Sequence, residues 1–147
     1  MDFITDRIAI GNRHEAEDIE MLQANGITAV LNVAYDLDLR YPHLDSSPYR
    51  FAIEYHKVGL IDGPGNKATT LTAAVYMLAQ LLEWHKKVLV HCHAGISRST
   101  TIVSTYLANT QNINFDEALA IVQMRRPDAN PHFYLRELAR SLPTLCL

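Results

Sequence analysis

The sequence predicts an α/β domain of three layers, with helices packed on a buried sheet, on three observations. Short apolar runs such as ITAVLNV (27–33) and VLVH (88–91) are bounded by turn residues and read as buried strands. Longer segments between and after them place apolar residues at three- and four-residue spacing, the stripe of a helix packed on one side. No repeat, low-complexity tract or Pro/Gly/Ser-rich linker divides the 147 residues, so residues 1–147 are read as one domain. Strand order does not follow from this pattern.

Each element has its own signal. Phe3–Ile10 reads as a strand or a short hairpin arm, and His14–Asn25 as a helix closed by Gly26. Ile27–Val33 is the first core strand. Tyr35–Arg50 is rich in Asp, Pro, Ser and Tyr without periodicity and reads as a long surface loop. Ile53–Val58 alternates enough for a strand, and Ile61–Asn66 (IDGPGN) is a turn by composition. A helix follows, with Thr69 or Thr70 near its N-cap. Its apolar stripe is Leu71, Ala74, Val75, Leu78, Leu81 and Leu82, reaching His85, and Met77 and Trp84 need no role beyond it. Val88–His91 is a short central strand and Ser99–Asn109 a helix. Asn114 with Glu117 three residues on gives a capping-box start for a helix ended by Pro127. A last helix runs from about Pro131 to Ser141.

Composition excludes several classes. Apolar residues make up 48% and charged residues 20%, which suffices for a core without staples. A net charge of −3 argues against general binding to nucleic acid or a membrane surface. Two distant cysteines, Cys92 and Cys146, make no disulfide framework, so one can be a working thiol in a reducing compartment. No secretory leader, membrane-spanning run or lipidation signal is visible. The expected location is cytoplasmic, and no oligomeric state is implied.

The strand VLVH runs into Cys92-His93-Ala94-Gly95-Ile96-Ser97-Arg98 and then a helix. A tight loop there points consecutive backbone N–H groups inward, and the helix dipole adds positive potential: an anion site. Gly95 can take the positive φ such a loop needs. Arg98, in the first turn, can hold two phosphate oxygens in its planar fork. Cys92 starts the loop, so its sulfur faces the bound phosphorus, and dipole and guanidinium favour its thiolate. A thiolate under a phosphate cradle implies attack on phosphorus. Cys then five residues then Arg is a weak signal as bare spacing, and its place between strand and helix strengthens it.

The full string VLVHCHAGISRSTT resembles the signature of the dual-specificity branch of the protein tyrosine phosphatase superfamily, closely from His91 to Ser99. ITAVLNVA (27–34), LIDGPGN (60–66) and RRPDANPHF (125–133) resemble that family's early core strand, general-acid loop and the segment before its last helix. The resemblance runs from about Ile8 to Leu142. It implies the three-layer α/β/α phosphatase fold with a central mixed sheet and a stand-alone catalytic unit. It also implies roles: Cys92 as nucleophile, Arg98 as phosphate clamp, Asp62 as general acid and then base. Ser99 assists breakdown of the thiophosphate. His93, Ala94, Gly95, Ile96, Ser97 and Arg98 form the phosphate-binding loop, with His91 supporting it from behind. No metal or other cofactor is implied, because Arg98 and backbone donors supply the charge stabilisation.

Plainer readings stand beside these. Cys92 could be a buried inert thiol. A cation in a helix's first turn opposes the dipole, which favours an anion near Arg98. Asp62 could be a turn former, with Asp36, Asp38 and Asp45 as competitors for its role. Ser99 could satisfy helix N–H groups. Asn130 caps a helix or braces the loop, and Asn32 ties neighbouring backbone. His85, His91 and His93 could suggest a metal site, but Cys92 would point away from His91 and His93 on a continuing strand. Cys146 is a tail residue. None of His93, Ala94, Ile96 and Ser97 is basic, which favours a singly phosphorylated group. The substrate expected is a phosphorylated protein bearing phosphotyrosine, phosphoserine or phosphothreonine. The loop 35–50, with Arg40 and Arg50 among its acids, should select partners beside the pocket. Alternatives are a non-protein phosphomonoester, such as a phospholipid or phosphorylated carbohydrate, and an inactive phosphate-binding module.

Overall fold

The computed structural model describes residues 1–39, 41 and 53–147. Strands β1 (Asp2–Phe3), β2 (Ile8–Gly11), β3 (Ala29–Ala34), β4 (Glu54–Leu60) and β5 (Val88–His91) form one five-stranded sheet in the order β1-β2-β5-β3-β4. β1 is antiparallel to β2, and the other pairs are parallel, so the sheet is mixed as expected. Every residue of β2, β3 and β5 is buried, which requires cover on both faces.

That cover comes from helices α1 (Arg13–Glu17), α2 (Ile19–Ala24), α3 (Ala68–Trp84), α4 (Arg98–Gln111), α5 (Phe115–Arg125) and α6 (Phe133–Ser141). α3 packs on β3, β4 and β5, and α4 on α3, α5, α6 and the three inner strands. α1 packs against β5 and α2. The predicted stripe of α3 is its buried face, and each of its leucines and Val75 contributes ~1.5–3 kcal/mol.

The segment His14–Asn25 and the starts of α3 and α6 depart from expectation. His14–Asn25 is two short helices, because the Asp18 carboxylate accepts from Met21 N (3.1 Å) and starts a new helix. Gly26 follows with φ +73°, as a helix stop. The N-cap of α3 is Lys67 rather than Thr69 or Thr70, and its side chain makes no cap hydrogen bond. α6 begins after His132, whose ring accepts from Tyr134 N (3.2 Å), not at Pro131. Phe3–Ile10 resolves into the β1–β2 hairpin, and the Asn114–Glu117 capping box is present. Of the predicted loop 35–50, residue 40 and residues 42–50, Asp45 among them, lie outside the described residues.

Three strands end side by side, with Gly11 and Asn32 flanking His91. The loop after β5 therefore leaves from the carboxyl edge of the sheet, where open α/β sheets place ligands.

Candidate functional site

All six carbonyls from Cys92 to Ser97 are captured by donors outside the loop. Cys92 O lies 3.1 Å from His91 Nδ1, and His93 O accepts from Arg13 N (2.9 Å). Arg126 donates from Nη2 to Ala94 O (3.3 Å) and from Nε to Gly95 O (2.7 Å). Ile96 O accepts from Asn130 N (2.8 Å) and Thr100 Oγ1 (2.7 Å). Ser97 O accepts from Thr101 N (3.0 Å) and from the hydroxyls of Thr100 (2.9 Å) and Thr101 (2.8 Å). A trans peptide is planar, with N–H opposite C=O, so outward carbonyls send the following N–H groups inward. The result is a nest of donors at the start of the 14-residue helix α4.

Gly95 sits at the tightest point, with φ +69°. A Cβ there would lie 2.5 Å from Gly11 O and 2.6 Å from Arg126 Nη2, so only glycine fits between the β2 end and the clamp.

Cys92, 3% exposed, sits at the base with its Sγ 3.3 Å from Ser99 Oγ. Arg98 is buried and its Nη1 donates to Asp36 Oδ1 (2.7 Å) and Leu60 O (3.2 Å). Its Nε has no partner among the described residues. The guanidinium is thus fixed by one corner, and its Nε edge is left for an anion. Asp36 supplies the anion that a first-turn cation demands. The Arg98 hydrogen bond holds the Asp36 carboxyl below the usual carboxylate range, so Asp36 is unsuited to donating a proton. Its other oxygen lies 3.3 Å from His93 Nε2.

Asp62 follows β4 and meets the loop directly: Ser97 Oγ donates to Asp62 Oδ1 (2.6 Å). The same hydroxyl accepts from His132 N (2.8 Å), tying the start of α6 to the loop. Asn66 closes the Asp62 turn on itself, accepting from Ile61 N (2.8 Å) and donating to Ile61 O (2.7 Å) and Gly63 O (3.1 Å). Asp38 instead pairs with Lys57 (2.8 Å) on the surface. Of the described carboxylates weighed for proton transfer, Asp36 is committed to the Arg98 cation and Asp38 to Lys57, whereas Asp62 meets the loop through a neutral hydroxyl.

The three histidines of the metal reading serve different places. His91 is fully buried and its Nδ1 faces Cys92 O; desolvation lowers its pKa to about 4, partly offset by that hydrogen bond. His93 faces Asp36, and His85 Nδ1 lies 2.8 Å from Thr28 Oγ1. Among the described residues no group of three or more His, Cys, Asp and Glu could hold a metal.

Cys92, Asp62 and the loop residues His93, Ala94, Ile96, Ser97 and Arg98 line one cavity of about 690 Å³, while Gly95 and Ser99 are buried and not part of its lining. Asn130 braces the loop through its backbone. Asn32 ties local backbone, accepting from Ala34 N (2.9 Å) and donating to Leu37 O (2.6 Å), and so sets the turn that carries Asp36. Cys146 is exposed and free, at the tail.

Arg126, Ser97 as a link to Asp62, and Asp36 as the partner of Arg98 were not assigned these parts from sequence. Each acts across 30 or more residues of chain, as in Arg98–Asp36 (62 residues) and Ser97–Asp62 (35 residues), so no local spacing announces it.

The family model for the dual specificity phosphatase catalytic domain matches residues 8–141. Human dual specificity protein phosphatase 2 is 34% identical over 128 residues, covering 84% of this chain and 37% of the relative. The Drosophila melanogaster dual specificity protein phosphatase Mpk3 is 29% identical over 138 residues, covering 93% and 32%. The chain thus spans about a third of the length of these curated relatives. Among solved structures, human DUSP28 superposes with a TM-score of 0.79 at 19% identity, covering 95% of this chain and 92% of that one. The human tyrosine phosphatase-like serine/threonine/tyrosine-interacting protein gives 0.77 at 25%, covering 95% and 92%.

Proposed function

Because this chain belongs to the dual specificity phosphatase catalytic-domain family, we propose that it hydrolyses phosphate monoesters on protein side chains, phosphotyrosine and phosphoserine or phosphothreonine, through a Cys92–phosphate intermediate. The observation that carries this reading is the outward capture of every carbonyl from Cys92 to Ser97. It leaves a preorganised set of donors over a buried thiol, which costs no reorganisation as charge develops on phosphorus.

In the first step Cys92 Sγ, as thiolate, forms the S–P bond while the P–O bond to the substrate breaks. Asp62 gives its proton to the leaving oxygen, which would otherwise depart as a poor leaving group. The Nε edge of Arg98 and the loop N–H groups hold the equatorial oxygens. In the second step Asp62 takes a proton from water as that oxygen attacks phosphorus. Cys92 leaves as thiolate, with Ser99 Oγ donating to it, and inorganic phosphate is released. The mechanism needs a free thiol, which supports a reducing compartment, the cytoplasm, as its place of action.

The test is hydrolysis of a small aryl phosphate in excess EDTA by wild type and Cys92→Ser. Turnover by wild type and silence of the mutant are expected. Equal activity of the two, or its loss with EDTA, would remove Cys92 from the centre of the reaction. Phosphotyrosine and matched phosphothreonine peptides then test dual specificity, which fails if only the first is turned over.

A further inference from the structure

The cavity above Cys92 extends beyond what one phosphoryl group fills. Its far wall is Asn130, Pro131, His132, Phe133, Arg136 and Arg140. The two arginines differ in charge balance. Arg140 donates to both oxygens of Asp116 (2.7 and 3.2 Å) and to Glu137 Oε1 (2.7 Å), so two carboxylates cover it. Among the described residues Arg136 has only neutral acceptors: Nε donates to Pro131 O (2.9 Å) and Nη2 to Asn130 Oδ1 (2.5 Å). Asp116 feels the Arg136 charge, but both its oxygens are given to Arg140.

These two bonds fold the Arg136 side chain back toward the start of α6, as helical side chains lean. Asn130, which holds the guanidinium, donates its own N–H to Ile96 O of the phosphate loop (2.8 Å). A fixed cation is therefore two hydrogen bonds from the cradle, on the same cavity wall. Beside it Phe133 and Tyr134 stand exposed in edge-to-face contact, 5.5 Å between ring centres. Among the described residues the other titratable or charged side chains lining this space are Asp62, Arg98, Cys92, His93 and His132.

We propose that Arg136 forms a second subsite of this cavity, which takes an anionic side chain of the substrate, carboxylate or second phosphate, close in sequence to the phosphoresidue. The proposal rests on the phosphatase reading above. It is compatible with a loop that lacks basic residues, since the second anion lies outside the loop on another residue of the substrate.

The test compares phosphopeptides that differ only at the residues flanking the phosphoresidue: Gln, Glu or a second phosphoserine there. Each is assayed with wild type, Arg136→Lys and Arg136→Glu, and kcat/KM is expressed as the acidic-to-neutral ratio within each variant. Damage to the loop lowers all peptides together and leaves the ratio unchanged, whereas loss of the subsite changes it. For a solvent-open pair the wild-type ratio is expected at about 3-fold for Glu and about 10-fold for the second phosphate, declining with added salt. Arg136→Lys retains most of it, and Arg136→Glu brings it below one. Equal ratios in wild type and Arg136→Glu would overturn the subsite. If wild type turns over no phosphopeptide, the phosphatase reading fails, and the same peptides are titrated against the protein directly. A charge-dependent preference lost in Arg136→Glu then sustains the subsite, and its absence ends it.

Discussion

Ser97→Ala separates proton transfer from phosphate binding in this site. One hydroxyl joins three parts: it donates to Asp62 Oδ1 (2.6 Å), accepts from His132 N (2.8 Å) and belongs to the loop proposed to cradle phosphate. The carbonyl of residue 97 is held by Thr100 and Thr101, so alanine leaves the loop's backbone anchored. What is lost is the bond that aims Asp62, a net loss of about 1 kcal/mol and so about 5- to 10-fold in rate where acid catalysis limits. The His132 N–H loses its partner as well, for about 1–3 kcal/mol of stability. The assay is kcat/KM over a series of phosphate esters with leaving groups from p-nitrophenol to simple alcohols, with Tm recorded. Esters of good leaving groups, which need little protonation, should change about 2-fold or less, and poor ones by the full factor. Inhibition by inorganic phosphate should stay near the wild-type value. A drop of equal size across the series, or a loss of phosphate inhibition equal to the loss of rate, would refute the assignment of Ser97 to Asp62.

Two other outcomes follow from the loop's packing. In Gly95→Ala the new methyl meets Gly11 O at 2.5 Å and must be held at φ +69°, so the loop shifts and its inward N–H groups lose aim. A loss of about 100-fold or more in kcat/KM is expected, and phosphate, expected to raise the Tm of wild type, should no longer do so. Retained phosphate stabilisation would contradict the nest. For His91, burial lowers the folded pKa to about 4, below the unfolded 6.5. Between these values the unfolded chain binds the proton and the folded one does not, so stability falls as pH drops from about 6.5 to 4, by about 3 kcal/mol from this group. Denaturant unfolding of wild type and His91→Gln at pH 7 and pH 4.5 should show the mutant losing less on acidification, and equal losses would contradict the burial argument.

The sequence by itself determined the elements whose signals are local. The apolar runs of β3 and β5, the stripe of α3 and the Asn114–Glu117 capping box each lie within one stretch of chain. The same holds for the proposed phosphate loop, because Cys92, Gly95 and Arg98 lie in one turn between strand and helix. Even there, short-range competition shifted boundaries: the Asp18 carboxylate, able to cap, divided a helix that the apolar pattern alone reads as continuous. Tertiary structure decided which acid does what. Asp36, Asp38 and Asp62 are alike in sequence, all in loops or turns. They became an ion-pair partner of Arg98, a surface partner of Lys57 and a neighbour of Ser97 only because the ends of β3, β4 and β5 meet at one edge of the sheet. Likewise Arg126 could clamp Gly95 and Ala94 only once α5 had packed on α4. A hydrogen bond across 62 residues leaves no periodicity in the chain. It is set by strand order, which hydrophobic pattern does not encode because every inner strand is buried on both faces and so looks the same.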